Sequence, residues 1–445
     1  MNKRHIHKFD FNNMGAINNY IVSRCDGTPT CKELEHLLST ENVSFVLSGI
    51  NRLQSTLLCE ECASYVQQSQ RYVPVTAEYI CLLDNTPDEL RYAGMELVTE
   101  SFKLYTDMTV LRDPNKKGRP LVSDFVHGIP YEDGRIMLPL AFSTNLVVSM
   151  PADKLIGLFG LFFKYNLVFE SLYREFRSII PAQLLNALTA AATRTFDRLV
   201  DATYAYFEHK FNDISLSRPV VMFDSINNVA IAALASQNKE SPVIVYESWG
   251  DNKDVNSQKL INNVLGYTHY GINEHARTTF GMTCSLATYH QVIRHRLQNI
   301  RREPFKDIIT GQNREYVIPK SIRSNQMFFP RSMQLIEKYR DFYKKYSAKY
   351  DIQFIMQFML SAAAVKFVVS SNIRNDNNIF RDRLCNTAQE EIRELYFMKF
   401  MILHKMFPDL VKYGVPPCVV SGKCKEGRLT CGDMQSTVDR FSDYI

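Results

Sequence analysis

The chain has 445 residues, 45% of them hydrophobic and 22% charged, and a net charge of +5. That length suits two domains of roughly 200 residues each and allows a sizeable core. The small positive charge fits an anionic small ligand better than a wide nucleic-acid footprint, so no nucleic acid is expected.

Residues 1–10 are polar and basic with no apolar core behind them, so no targeting segment is expected. The apolar stretches 155–163 and 354–369 are too short for a bilayer, and no membrane partner is expected. Ten cysteines without a secretory signal suggest reduced thiols and a cytoplasmic location. Cys25 and Cys31 stand apart and read more simply as thiols than as a metal pair. Residues 43–50 are β-branched and loosely alternating, which predicts a strand. Residues 51–62 predict a helix with Leu53, Leu57 and Leu58 on one face, leading into a loop over 64–72. Cys59-Glu60-Glu61-Cys62 is a CxxC with no second pair at ribbon spacing. In the loop, Ser69 and Arg71 could hold a phosphate monoester through a hydroxyl and a guanidinium fork; an ordinary polar turn would use the same residues.

Residues 87–105 predict a packing helix with Pro87 in its first turn and Leu90, Ala93, Leu97 and Leu104 facing inward. Residues 112–134 are loop-like, 155–163 are apolar nearly all round and so buried, and residues from about 181 to 211 predict a further helix. A boundary falls near 212–240. Then come a strand at 243–246, a turn holding Trp249 and a short helix at 257–264. If residues 286–296 are helical, Gln291 lies one turn before Arg294 on the same face. Arg294-His295-Arg296 sets cationic side chains side by side, which favours an anion such as phosphate; a solvated helix end is the plain alternative. The Asn-rich run at 371–378 suits a helix cap. Cys418, Cys424 and Cys431 lie in a glycine-punctuated tail and could bind a metal given a fourth ligand, or stay free; no metal is assigned.

Arg294-His295-Arg296 resembles the RHR signature of the flavin-dependent thymidylate synthases, RHRxxSxNxxSxR. The serines that should follow are absent, and Lys306 holds the last Arg position. That missing half resembles residues 64–72, where Ser64, Gln67 (for a family Glu), Ser69, Gln70 and Arg71 follow SxNExSxRY. There the RHR position holds Cys59-Glu60-Glu61. Residues 134–140 resemble the family's ARxxLP segment, whose Arg, here Arg135, binds the nucleotide phosphate; the second half has Met356 at that position. Residues 269–275 resemble HExPFEH, with His269 and Glu274 at flavin positions, which implies a strand over 277–285 and a helix over 286–296. Residues 372–383 resemble NxRxxxNFxxxR, with Asn372, Arg374 and Asn378 at flavin positions and Arg383 at the Arg that holds the pyrimidine. Gly271 and Thr387 replace a family Thr and His.

The resemblance implies an α+β fold class: two tandem copies of the family fold, each a mixed or antiparallel sheet with helices. Residues 1–225 would be the phosphate-binding copy and 226–445 the flavin-binding, catalytic copy. Since family sites are built between subunits, it implies one site divided between the copies. Substrate contacts would come from Ser69, Gln70, Arg71, Arg135, Gln291, Arg294 and Arg383. Flavin contacts would come from Ser64, Gln67, His269, Glu274, Arg294, His295, Arg296, Asn372, Arg374 and Asn378. Arg383 and Gln291 would be catalytic, stabilising charge on the uracil ring. The implied reaction is reductive methylation of dUMP with FAD as cofactor, methylenetetrahydrofolate as carbon donor and NADPH as reductant. A homodimer would then form a pseudo-tetramer. Transfer of another one-carbon group, or a non-catalytic nucleotide-binding homologue, are the alternatives.

Overall fold

The computed structural model describes residues 5–24, 29–61, 63–70, 73–193, 211, 214, 218–225, 228–235, 239–311, 314–427 and 430–444. Eight strands are named here in chain order: β1 (Ile6–Phe11), β2 (Asn42–Asn51), β3 (Ser64–Gln67), β4 (Ser143–Pro151), β5 (Val220–Ser225), β6 (Arg277–Ser285), β7 (Asn299–Arg302) and β8 (Ala364–Asn372). They form two four-stranded sheets, ordered β1-β2-β4-β3 and β5-β6-β8-β7. In the first sheet every neighbouring pair is antiparallel; in the second, β5 with β6 and β7 with β8 are antiparallel. One strand order used twice, with helices around each sheet, is the duplicated α+β fold expected from the sequence.

The chain packs as two compact units. The first holds Met1–His209, Ser285–Arg296 and Glu303–Ala364; the second holds Lys210–Cys284, Leu297–Arg302 and Val365–Ile445. The first unit therefore combines stretches from both halves of the sequence.

In the first unit, β2 turns Val43, Phe45 and Leu47 inward, all buried. Each such side chain contributes about 1.5–3 kcal/mol by leaving water. Its register shifts between Leu47 and Ile50, where Gly49 takes a φ of 66°. Helix α1 (Arg52–Glu60) follows at once. Asn51 caps it by accepting from the Gln54 amide at 2.9 Å, and the Gln54 side chain accepts from the Asn51 amide at 3.0 Å. Every residue from Arg52 to Cys59 is buried, polar ones included.

Equivalent positions of the two copies carry matched hydrogen bonds within this unit. The Leu140 amide donates to Met359 O at 3.0 Å, and the Ser361 amide donates to Leu138 O at 3.0 Å. Likewise the Arg52 amide donates to Leu140 O, and the Ala287 amide to Ser361 O, both at 2.9 Å. Helix α2 (Asp88–Met108) packs on helix α4 (Phe328–Tyr346), where the Ser101 and Tyr339 hydroxyls meet at 2.8 Å. A methyl group at Gly94 of α2 would overlap the Phe358 ring, so that close approach requires glycine.

In the second unit β8 is largely buried on both faces. It runs into helix α5 (Ile373–Arg383), capped by Asn372, which accepts from the Asn375 amide at 2.9 Å. Helix α6 (Glu390–Met406) packs alongside through a buried Asp376–Lys399 ion pair at 2.8 Å. Among the described residues no helix is long and apolar enough to cross a membrane.

Several elements differ from the sequence reading. Residues 243–246 lie in a helix, Pro242–Ser248, and not a strand. Four apolar residues are too few to specify a strand, and Pro242 pre-sets the first helical turn. The following helix is longer than expected, Lys253–Gly266. The expected loop over 64–72 starts as β3, whose residues pair with β4. Helix α3 (Leu286–Val292) stops before Arg294, so the RHR run is a turn and not a helix end. Cys25, Cys62, Arg71 and Tyr72 lie outside the described residues.

Candidate active site

The turn after α3 is built by short-range backbone bonds. The Arg294 amide donates to Gln291 O at 3.4 Å and the His295 amide to Val292 O at 3.1 Å. These i to i−3 bonds tighten the chain, and the two arginines leave it toward residues of the first copy. Arg294 Nη2 donates to Gln67 Oε1 at 3.0 Å. The Gln67 amide nitrogen in turn donates to Ser55 Oγ. Arg296 donates to Cys59 O and stacks over the Tyr65 ring, 4.5 Å from its centroid. Tyr289 donates its hydroxyl to Glu60 Oε1 at 3.0 Å. So Cys59, standing where the first copy's own RHR would begin, is a partner of the second copy's RHR turn, and Glu60 beside it is a partner of Tyr289 in the helix ahead of that turn.

Behind that turn lies Arg52, buried at 4% exposure on the first turn of α1. Its Nη2 donates to His290 Nδ1 at 2.9 Å, and its Nη1 is buried with no partner among the described residues. Burial and the charges of Arg135 and Arg294 push Arg52 down to about 9. The same arginines, after burial, hold His290 well below the ordinary imidazole range. Arg135 is itself buried, in the short turn Arg135–Met137. Buried Arg52 and Arg135 thus lie within electrostatic reach of half-buried Arg294, and such a gathering of positive charge favours an oxyanion. Burial also pushes up the Cys59 thiol, against the pull of Arg296, Arg294 and Arg52; that makes it a poor nucleophile.

Of the other predicted residues in the first unit, Gln291 is buried near the end of α3. Ser64 is exposed at the start of the edge strand β3, and Ser69 and Gln70 are half-buried just beyond it. His295 is half-buried in the turn. In the second unit, Glu274 and Arg374 form an exposed ion pair, which brings two predicted flavin residues together. Asn378 is exposed one turn further along α5. Asn372 is buried and spends one oxygen on the helix cap. His269 is exposed just ahead of the turn Tyr270–His275. Arg383 ends α5, and burial draws its guanidinium down while Tyr396 and Asp382 offset this.

Arg52, Thr56 and His290 were not singled out from the sequence. No motif marks them, and an Asn-Arg pair at a helix start reads as a cap. The available signal was a cationic residue on a helix otherwise destined for the core, which needs a polar partner there.

The family model described as thymidylate synthase complementing protein (Thy1) matches residues 35–181 and 221–409. The chain belongs to that family, the flavin-dependent thymidylate synthases. The enzyme so named from Clostridium tetani is 29% identical over 226 residues, covering 46% of this chain and 89% of its own. Those of Pyrococcus furiosus and Thermococcus onnurineus are 29% and 30% identical over 213 residues, each again covering 46% of this chain and 86% of its own. A relative nearly matched end to end thus fills about half of this chain, and the family model matches in two stretches, both consistent with two copies. A crystal structure of the Helicobacter pylori flavin-dependent thymidylate synthase, complexed with FAD and dUMP, aligns at 15% identity and a TM-score of 0.35 over 44% of this chain and 99% of its own. That score is too low to add to the assignment.

Proposed function

We propose that this flavin-dependent thymidylate synthase converts dUMP to dTMP at one site per chain, shared by the first copy (1–225) and the second (226–445). Methylenetetrahydrofolate gives the carbon and NADPH recharges the flavin. The observation that carries the reading is the cluster Arg52–Arg135–Arg294, whose arginines come from both copies and call for an oxyanion. In this reading the cluster holds the dUMP phosphate, joined by Ser69, Gln70 and Arg71. Gln291 reads the uracil ring, and Arg383 stabilises the charge that develops on it.

The residues present fit a flavin. Exposed Arg374, Glu274, His269 and Asn378 offer a guanidinium, a carboxylate, an imidazole and an amide, the donors and acceptors that a ring edge and a diphosphate require. They, with Asn372, Ser64, Gln67 and the RHR turn, would hold FAD, which when bound supplies the hydride. The protein's part is to orient dUMP, exclude water and neutralise charge. A homodimer would be a pseudo-tetramer with two working sites. The test is to supply dUMP, methylenetetrahydrofolate and NADPH and weigh the product. The mass of dTMP supports the reading, a different one-carbon adduct replaces it with the related flavoenzyme, and no turnover with dUMP still bound leaves a binding protein.

A further inference from the structure

The Arg52 guanidinium is held by a closed ring of three hydrogen bonds that begins and ends on Arg52. Arginine can only donate, so Arg52 Nη2 donates to His290 Nδ1, at 2.9 Å. His290 must then carry its proton on Nε2, and it donates that proton to Thr56 Oγ1. Thr56 donates its own hydroxyl proton to Arg52 O, at 2.6 Å. Each of the three bonds pairs one donor with one acceptor, and only the neutral Nε2–H imidazole satisfies all three. Proton on Nδ1 would face a guanidinium N–H. Both imidazole nitrogens are spent inside the protein, so His290 has nothing left with which to touch a ligand. Arg52 Nη1 takes no part in the ring and is buried without a partner among the described residues.

The two copies divide the device. Counted back from Arg294 and from Cys59, the second copy has Ala287 where the first has Arg52, and the first has Ser55 where the second has His290. The arginine therefore belongs to one copy and its imidazole support to the other.

We infer that His290 and Thr56 are positioning residues that aim Arg52 Nη1 at the phosphate of the bound nucleotide. The inference rests on the nucleotide reading given above and extends it to two residues that touch no substrate. Their removal frees the guanidinium to turn away, which weakens phosphate binding without altering the chemistry on the uracil ring.

The experiment uses the full chain as wild type and as Thr56→Val, Thr56→Ser and His290→Ala. Thr56→Val keeps the side chain's shape and removes the hydroxyl. Loss of the charge-assisted Arg52–His290 bond, directly in His290→Ala or through release of the imidazole in Thr56→Val, corresponds to about a tenfold change or more. The expected result is a dUMP KM raised about tenfold in Thr56→Val and His290→Ala with kcat within about twofold of wild type, and recovery in Thr56→Ser. Thermal protection by inorganic phosphate should be lost in the first two and kept in the third. A KM unchanged in both, or kcat falling in step with KM, overturns the inference and makes the ring purely structural. If the wild type turns over no dUMP, the nucleotide reading fails by itself, and phosphate protection decides the matter. Protection that depends on Thr56 and His290 keeps the oxyanion role, and protection indifferent to them ends it.

Discussion

Replacing Asp376 by alanine should destabilise the protein through one buried charge. Asp376 and Lys399 are both fully buried and meet at 2.8 Å. The second carboxylate oxygen, Oδ2, has no partner among the described residues. The pair is thus a single charge-assisted bond in a dry place, not a saturated network. Such a pair gains little over a well-packed apolar replacement, because desolvation offsets the attraction. Breaking it is another matter: in Asp376→Ala the Lys399 ammonium stays in the core without its carboxylate, facing the Phe280 ring 5.0 Å away. The expected loss is about 3–5 kcal/mol, against a typical total of about 5–15 kcal/mol. Asp376→Leu combined with Lys399→Met should recover most of that loss. Urea unfolding of the full chain reads both, the shift in midpoint giving the difference in free energy. A single variant that loses less than about 1 kcal/mol, or a double variant as unstable as the single, would refute the reasoning. The proposed flavin and substrate contacts would share the loss, since Asp376 anchors the helix that carries Arg374, Asn378 and Arg383.

Arg383→Ala should abolish dTMP formation while leaving the flavin bound; a product assay beside an absorption spectrum checks this, and full activity would reject the assignment. His290 is held neutral by burial and by Arg52, Arg135 and Arg294, so its folded pKa lies below its unfolded value of about 6.5. The folded state resists its protonation, so that stability is present above pH about 6.5 and lost as pH falls toward the folded value. Unfolding followed from pH 8 to 5 should show less acid loss in His290→Gln than in wild type, and equal loss would remove the claim. Gly94→Ala should destabilise by about 1–3 kcal/mol through overpacking against Phe358, measured as a lowered urea midpoint.

Much of the fold was legible because its signals are local. The strand β2 follows from its β-branched run and α2 from its leucine spacing and Pro87, while β6 was placed by the family segment that precedes it. Pro242 outweighed the Val-Ile-Val-Tyr run that looked like a strand, since a proline in a first turn favours helix and exposed apolar residues need no sheet. The end of α3 was not legible. Whether a helix continues through Arg294 depends on i to i−3 bonds and on partners such as Gln67, which lie far away in sequence. The family motifs marked the two separated halves of one signature, and the Gln67–Arg294 bond joins a residue of each. Arg52, Thr56 and His290 escaped because their meaning is relational: each is ordinary in its own helix, and only packing α1 against α3 closes the ring. Glu274 and Arg374 were chosen separately, and their ion pair shows what spacing alone does not.

The most direct test of the single shared site is the visible absorption spectrum of the purified protein, titrated with FAD and then with dUMP. The account predicts two flavins per two chains and a flavin band that shifts when dUMP binds. Four flavins per two chains, or no flavin even after incubation with FAD, would contradict it.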